Sequence, residues 1–253
     1  MLPYLIVCPL VFLAGFVDSI AGGGGLISLP AYIIAGVPTH MAIGTNKLSS
    51  AIGTVISTGR YLKNGYLKGS RLIRLAIFAV LASFLGSTLG SRLSLLVDDK
   101  ILRNMMIVVL PVVAFYVMRN QDLGENSNRD PLPDGRLYAV VLGAALVIGV
   151  YDGFYGPGTG TFLLLVLTGA ARLPVREASA MTKVLNLTSN VAALTTFIGS
   201  GSIVYPLGLA AAVFSIAGHY TGSGLVVRNG RKIVRPVILI VLAILFVKIL
   251  SGR

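Results

Sequence analysis

Tryptophan is absent from this chain, and cysteine occurs once, at Cys8. One cysteine excludes an intrachain disulfide and a cysteine-built metal site. Inside an apolar run it reads as a small packed hydrophobe. Charge is also scarce. Asp, Glu, Lys and Arg make up 12% of the 253 residues, against about 25% in a soluble domain. Apolar residues reach 55%, and mean hydropathy is +0.85. Such a chain cannot cover its surface with polar side chains, so its solvent is lipid. Without tryptophan, any aromatic belt falls to tyrosine and phenylalanine. The two histidines, His40 and His219, lie near segment ends and in no metal-ligand spacing. Each reads as interfacial or packed. Acids number nine, most of them in loops, and no Ser-His-Asp or His-Glu spacing suggests a hydrolase. The expectation is a non-enzyme without metal or cofactor.

Basic residues are present in excess, and the net charge is +12. On a soluble protein this would suggest nucleic acid. Here the basic residues punctuate apolar runs, and orientation in a membrane explains them better. A spanning helix needs about 20 apolar residues. Ten apolar segments follow, roughly 3–20, 25–36, 40–59, 71–94, 99–119, 135–152, 159–170, 176–198, 204–227 and 232–250. The start, Met1-Leu-Pro-Tyr-Leu-Ile, has no basic stretch before its apolar run, so the first segment reads as a helix rather than a cleaved signal. Residues 119–134 form a polar linker rich in turn formers. They divide a first repeat, 1–118, from a second, 135–253.

The two halves carry one pattern. Gly15 and Asp18 match Gly149 and Asp152, and Gly22 and Gly24 match Gly156 and Gly158. Lys47 matches Lys183; Ser83, Gly86, Gly90 and Ser91 match Ser215, Gly218, Gly222 and Ser223. Internal repeats of this order are common in transporters. Cytoplasmic loops collect Lys and Arg. Between the third and fourth segments the first half has Arg60, Lys63, Lys68, Arg71 and Arg74, and the second half has none. Between the fourth and fifth, the second half has Arg228, Arg231, Lys232 and Arg235, while Asp98 and Asp99 offset the first half's cations. Matching loops fall on opposite faces. The expected architecture is an all-α integral membrane protein, an inverted repeat of two five-segment halves. It places the linker in the cytoplasm and both termini outside.

Three constellations carry chemistry. Gly22, Gly23, Gly24 and Gly25 precede the short second segment, and Gly156, Gly158 and Gly160 precede the short seventh, with Pro157 and Thr159 between. Broken backbone at membrane depth survives where it is buried or lines a cavity. Freed helix N-termini there can face an anion; close packing through small residues is the alternative. Neither stretch ends in the Gly-Lys-Ser/Thr of a phosphate loop. Lys47 and Lys183 lie about 10 Å inside apolar segments by helix rise. Thr45, Asn46, Ser49 and Ser50 neighbour the first, and Thr182, Asn186, Ser189 and Asn190 the second. A substrate anion, snorkelling, or a carboxylate partner would each account for the lysines. Asp18 and Asp152 end the first helix of each half. Proton coupling, pairing with Lys47 or Lys183, and capping of the following short helix all fit them.

Gly15-Phe-Val-Asp-Ser-Ile-Ala-Gly-Gly-Gly-Gly-Leu-Ile-Ser-Leu-Pro30 and Ala42-Ile-Gly-Thr-Asn-Lys47 resemble the TauE/SafE family, also called the sulfite exporter family. The likeness continues through Asp152-Gly-Phe-Tyr-Gly-Pro-Gly-Thr-Gly160 and Lys183, where Met181-Thr182-Lys183 stands for Thr-Asn-Lys. The resemblance implies movement of sulfite, sulfoacetate or related organosulfonates across the bacterial inner membrane, driven by an ion gradient of protons or sodium. Combined with the residues, it gives an ion-coupled secondary exporter whose glycine breaks meet near the membrane midplane. The substrate site comprises Thr45, Asn46, Lys47, Gly22–Gly25, Gly156, Gly158, Thr159, Thr182, Lys183, Asn186 and Asn190, with Asp18 and Asp152 as coupling residues. An uncoupled anion channel, or an importer of a small carboxylate or inorganic anion, is the alternative. Partners are the small anion, the coupling ion and the bilayer, with no nucleic acid.

Overall fold

The computed structural model describes residues 1–102, 104 and 132–229. Most of the fifth apolar segment, the tenth and nearly all of the 119–134 linker lie outside the described residues. The described residues are helical and contain no strand. Helix α1 spans Leu2–Ala21, α2 Gly25–Ile34, α3 Thr39–Lys63 and α4 Ser70–Leu95. In the second half α5 spans Asp134–Phe154, α6 Thr159–Leu165, α7 Val175–Gly199 and α8 Tyr205–Asn229. A π-helical turn, Val166–Ala170, extends α6.

Four of these, α1, α4, α5 and α8, are long and apolar enough to cross a membrane. Only 33% of the apolar stretch is buried in α4 and in α5. Ile77, Phe78, Leu81, Leu85 and Val147 face outward, as lipid-facing side chains do. The protein is therefore an integral membrane protein. Helices α3 and α7 each have 25 residues, about 37 Å at the α-helical rise. They are long enough to span but more polar, because they carry the Ser, Thr, Asn and Lys side chains of the interior.

Helix starts follow from the sequence. Pro38, Pro133 and Pro174 each stand immediately before a helix, with extended backbone, as the fixed ring torsion favours. The carboxylate of Asp99 accepts the backbone N–H groups of Thr39 and His40 at 3.2 and 3.0 Å. That satisfies free donors of the α3 N-terminus. His40 also pairs with Asp99 and bonds the Ser94 carbonyl, so it is a packed histidine at the helix end.

Packing crosses between the halves. Helix α1 packs on α8, and α4 on α5. Small residues permit both contacts: a Cβ on Gly86 or Gly153 would strike the facing backbone at Leu146 or Ser87, and one on Gly218 or Gly222 would strike Phe12 or Phe16. Close approach through small residues is how helices associate in lipid. The hydroxyls of Ser83 and Ser87 donate to the carbonyls of Leu185 and Ser189, at 3.2 and 2.6 Å. These contacts advance together along α4 and α7, so that pair runs parallel. Helices α3 and α7 run antiparallel: Lys47 meets Asn190, whereas Thr58, further along α3, meets the carbonyl of Lys183, further back along α7.

Candidate functional site

The site begins with the two broken helices. Gly22 ends α1 in the left-handed region at φ 81°, its N–H bonding the Asp18 carbonyl at 2.8 Å. In the second half Gly156 and Gly158 take φ 97° and 84° before α6 begins. The breaks touch backbone to backbone. A Cβ on Gly160 would lie 2.5 Å from Gly22 Cα, and one on Gly25 would lie 3.2 Å from Pro157 Cα. The Thr161 hydroxyl donates to the Ala21 carbonyl at 3.1 Å, tying α6 to the end of α1. Glycine is required here by the close approach as well as by the turn.

Two ion pairs flank this contact, and each crosses between the halves. Lys47 Nζ, on α3, donates to Asp152 Oδ2, on α5, at 2.7 Å. Lys183 Nζ, on α7, donates to Asp18 Oδ2, on α1, at 2.9 Å, and also to the Asp18 carbonyl. Each lysine stands eight residues into its helix, from Thr39 to Lys47 and from Val175 to Lys183. All four residues are buried. A buried charge persists when it is paired and hydrogen-bonded, and two reciprocal pairs meet that condition.

Asparagines join the pairs. Asn190 Oδ1 accepts from Lys47 at 3.1 Å, and Asn190 Nδ2 donates to Asn186 Oδ1 at 3.3 Å. Asn186 Nδ2 reaches Asp18 Oδ2 at 3.4 Å. The result is one polar chain, Asp152–Lys47–Asn190–Asn186–Asp18–Lys183. Residues four apart on α7 make the middle links, as helix periodicity allows. Asp18 Oδ1 also accepts the Gly24 N–H at 3.4 Å. Asp18 therefore both pairs with lysine and touches the start of α2; for Asp152 the contact found is the Lys47 pair.

A cavity of about 30 Å³ lies among these groups. It is lined by Asp18, Gly22, Gly24, Gly25, Asn46, Lys47, Asp152, Gly156, Thr159, Asn186 and Asn190 from the expected set. Lys183 is placed behind Asp18 and does not line it. Nor do Gly23, Gly158, Thr45 and Thr182. The Thr45 hydroxyl accepts the Val204 N–H at 2.9 Å, holding the start of α8. The Thr182 hydroxyl is buried without a hydrogen-bond partner among the described residues. Ser28, Ser50, Ser215 and His219 complete the polar lining. His219 sits one turn beyond Ser215 on α8, its Nε2 3.8 Å from Asp18 Oδ2 and its Nδ1 3.0 Å from Ser57 Oγ. No group of His, Cys, Asp and Glu among the described residues could hold a metal ion.

The family model for the sulfite exporter TauE/SafE matches residues 7–249. The chain belongs to the sulfite exporter TauE/SafE family. Among curated proteins, it is 34% identical to a probable membrane transporter protein, ORF9, of a Sinorhizobium species, over 95% of this chain and 89% of that protein. It is 34% identical to the probable membrane transporter protein YfcA of Escherichia coli K12, over 94% and 86%. A probable membrane transporter protein of Haemophilus influenzae is likewise 34% identical, over 90% and 87%. No solved structure gives a significant match. This TauE/SafE protein is thus a membrane transporter, and the polar cavity is the place in it where charge is concentrated away from solvent.

Proposed function

We propose that this chain is a secondary transporter that moves a small sulfur-containing anion, such as sulfite, sulfoacetate or another organosulfonate, across the bacterial inner membrane. It works as an ion-coupled exporter by alternating access. The observation that carries this reading is the pair of lysine–aspartate bridges crossing between the halves around one glycine-lined cavity. An anion there meets the Lys47 ammonium, the Asn46, Asn186 and Asn190 amides and the backbone of both breaks. Intramembrane ionisable residues that face a bundle interior mark substrate paths, and paired broken helices mark transporter sites.

The halves, 1–118 and 135–253, form an inverted repeat about this cavity, with the 119–134 linker cytoplasmic and the termini outside. The antiparallel course of α3 and α7, which hold the matching lysines, supports this. So do the exchanged contacts, α1 with α8 and α5 with α4. The cavity has room for about two water molecules, less than a sulfonate needs, so one half must move relative to the other to admit substrate.

Flux of labelled sulfoacetate into proteoliposomes, measured with and without imposed proton and sodium gradients, tests the proposal. Uptake driven by one of the gradients is expected. Flux that ignores both gradients would make the protein a channel, and flux of small carboxylates but not of sulfonates would reassign the substrate.

A further inference from the structure

The two ion pairs have the same residues but different surroundings. Asp18 keeps 12% of its side chain accessible, against 3% for Asp152. Its partner Lys183 lies behind it, so on that side the carboxylate rather than the ammonium faces the cavity. Beside Asp18 stands His219. The ring is bonded to Ser57 through Nδ1 and turns Nε2 toward the Asp18 carboxylate. It occupies a slot that two glycines leave open: a Cβ on Gly15 would come 3.0 Å, and one on Gly53 2.7 Å, from His219 Cδ2. At the matching place in the first half stands Ser87, bonded to the Ser189 carbonyl. The molecule thus provides a fitted, titratable ring beside one carboxylate only.

Charge bookkeeping gives that ring a role. The cluster of Lys47, Lys183, Asp18 and Asp152 sums to zero. An added monoanion would leave a buried net charge, which is costly. A proton added to an Asp18 carboxylate oxygen leaves Lys183 uncompensated and the cluster at +1, which a monoanion cancels. The groups facing Asp18 are Lys183 and the Asn186 amide from α7, His219 from α8, the Gly24 N–H from α2 and, on α3, Tyr61, whose hydroxyl donates to the adjacent Ser19 carbonyl at 2.6 Å. Across the cavity stand Lys47 and Asp152. Of these, His219 is the neighbour whose ring nitrogens can both accept and donate a proton, and so can relay one to Asp18.

We infer that Asp18, served by His219, is the proton-carrying carboxylate of the site, so that each monoanion is bound and moved together with one proton. Asp152 remains the fixed partner of Lys47. This rests on the anion-transport reading above but not on its direction: a proton moving with the anion drives uptake where the proton gradient points inward, which is the importer alternative.

The test uses the purified full chain in proteoliposomes, with the membrane potential clamped and a pH dye inside. The probe is labelled methanesulfonate, a permanent anion, so any proton that moves is carried by the protein. Wild type is expected to acidify the lumen by about one proton per anion taken up. Asp18→Asn is expected to lower proton movement per anion about tenfold or more, while Asp152→Asn slows uptake but keeps the ratio. His219→Gln retains a group able to bond Ser57 but cannot relay a proton, and is expected to shift the pH dependence of uptake. Anion uptake by wild type with no proton, or an unchanged proton ratio in Asp18→Asn, would overturn the inference. A wild-type pH profile in His219→Gln would remove the histidine from it. If Asp18→Asn does not fold, the wild-type ratio and the His219→Gln profile decide. If wild type moves neither methanesulfonate nor sulfite, the anion-transport reading itself fails.

Discussion

In the first half's lysine site, Lys47 points into the cavity with Asp152 and Asn190 as partners; in the second half's, Lys183 is withdrawn behind Asp18. The difference traces to a few side chains. Asn186 and Asn190 on α7 stand where α3 has Ser50 and Thr54, so the amide chain between the pairs is built from one half alone. His219 on α8 stands where α4 has Ser87, and Gly53 faces the ring where Ser189 faces Ser87. Positions matched between the two sequence halves are where charge is buried. The side chains that differ between those positions leave one side with a cavity-facing ammonium and the other with a cavity-facing carboxylate.

The largest effect is expected where the halves touch. Gly22→Ala or Gly160→Ala places a Cβ into the opposing backbone, and neither variant should give a folded, monodisperse protein on size exclusion. Gly36→Ala is the contrasting control. Gly36 has φ +84° and no atom within 4 Å of the added Cβ, so its cost should be about 1–2 kcal/mol, the left-handed penalty alone.

Next come the lysines. Lys47→Ala and Lys183→Ala should each abolish transport while the protein still inserts. Each should cost about 3–5 kcal/mol, the usual effect of leaving a buried charge without its partner. Removing both partners, as in Lys183→Met with Asp18→Leu or Lys47→Met with Asp152→Leu, should restore most of the detergent melting temperature, because an apolar pair can replace a buried ion pair. The comparison sharpens when methanesulfonate is added. The melting shift it produces should vanish in the Lys47 double variant and persist in part in the Lys183 one. Equal loss in both would make the sites equivalent.

Smaller effects probe the His219 slot. Gly53→Ser, which copies Ser189 of the other half, should destabilise because the added Cβ presses on Ser215 Oγ and, at 2.7 Å, on the ring. Adding His219→Ser should relieve the part due to the ring, with a coupling of about 1–3 kcal/mol between the two changes. A simple sum of the two single effects would mean the slot is not shaped to the ring. Ser87→Ala should cost about 1 kcal/mol, one hydrogen bond, and leave the pH dependence of uptake unchanged.

Much of this could be read before any coordinates. Apolar runs located all eight helices, α3 and α7 among them as segments 40–59 and 176–198, and the matched Lys47 and Lys183 marked those two as the carriers of buried charge. The glycine breaks were visible because Gly22–Gly25 and Gly156–Gly160 stand at matching places before short segments. The cross-pairing was not, since Asp18 could meet either lysine and only packing between halves decides. Thr45 and Thr182 were grouped with the lysines as chain neighbours, although a residue one or two positions away lies on another face of a helix. His219 reads from the sequence as interfacial or packed, and it is packed. Its second property, facing Asp18, was signalled only by its alignment with Ser87, a match that small-residue pairs on either side of it would have supplied.

A structure of the protein with methanesulfonate or sulfite bound tests most directly whether the two halves share one anion between them. The anion is expected between the glycine breaks with an oxygen against Lys47 Nζ, and with the cavity widened around it. An anion bound outside the bundle, with Lys47 still closed on Asp152, would contradict the shared site.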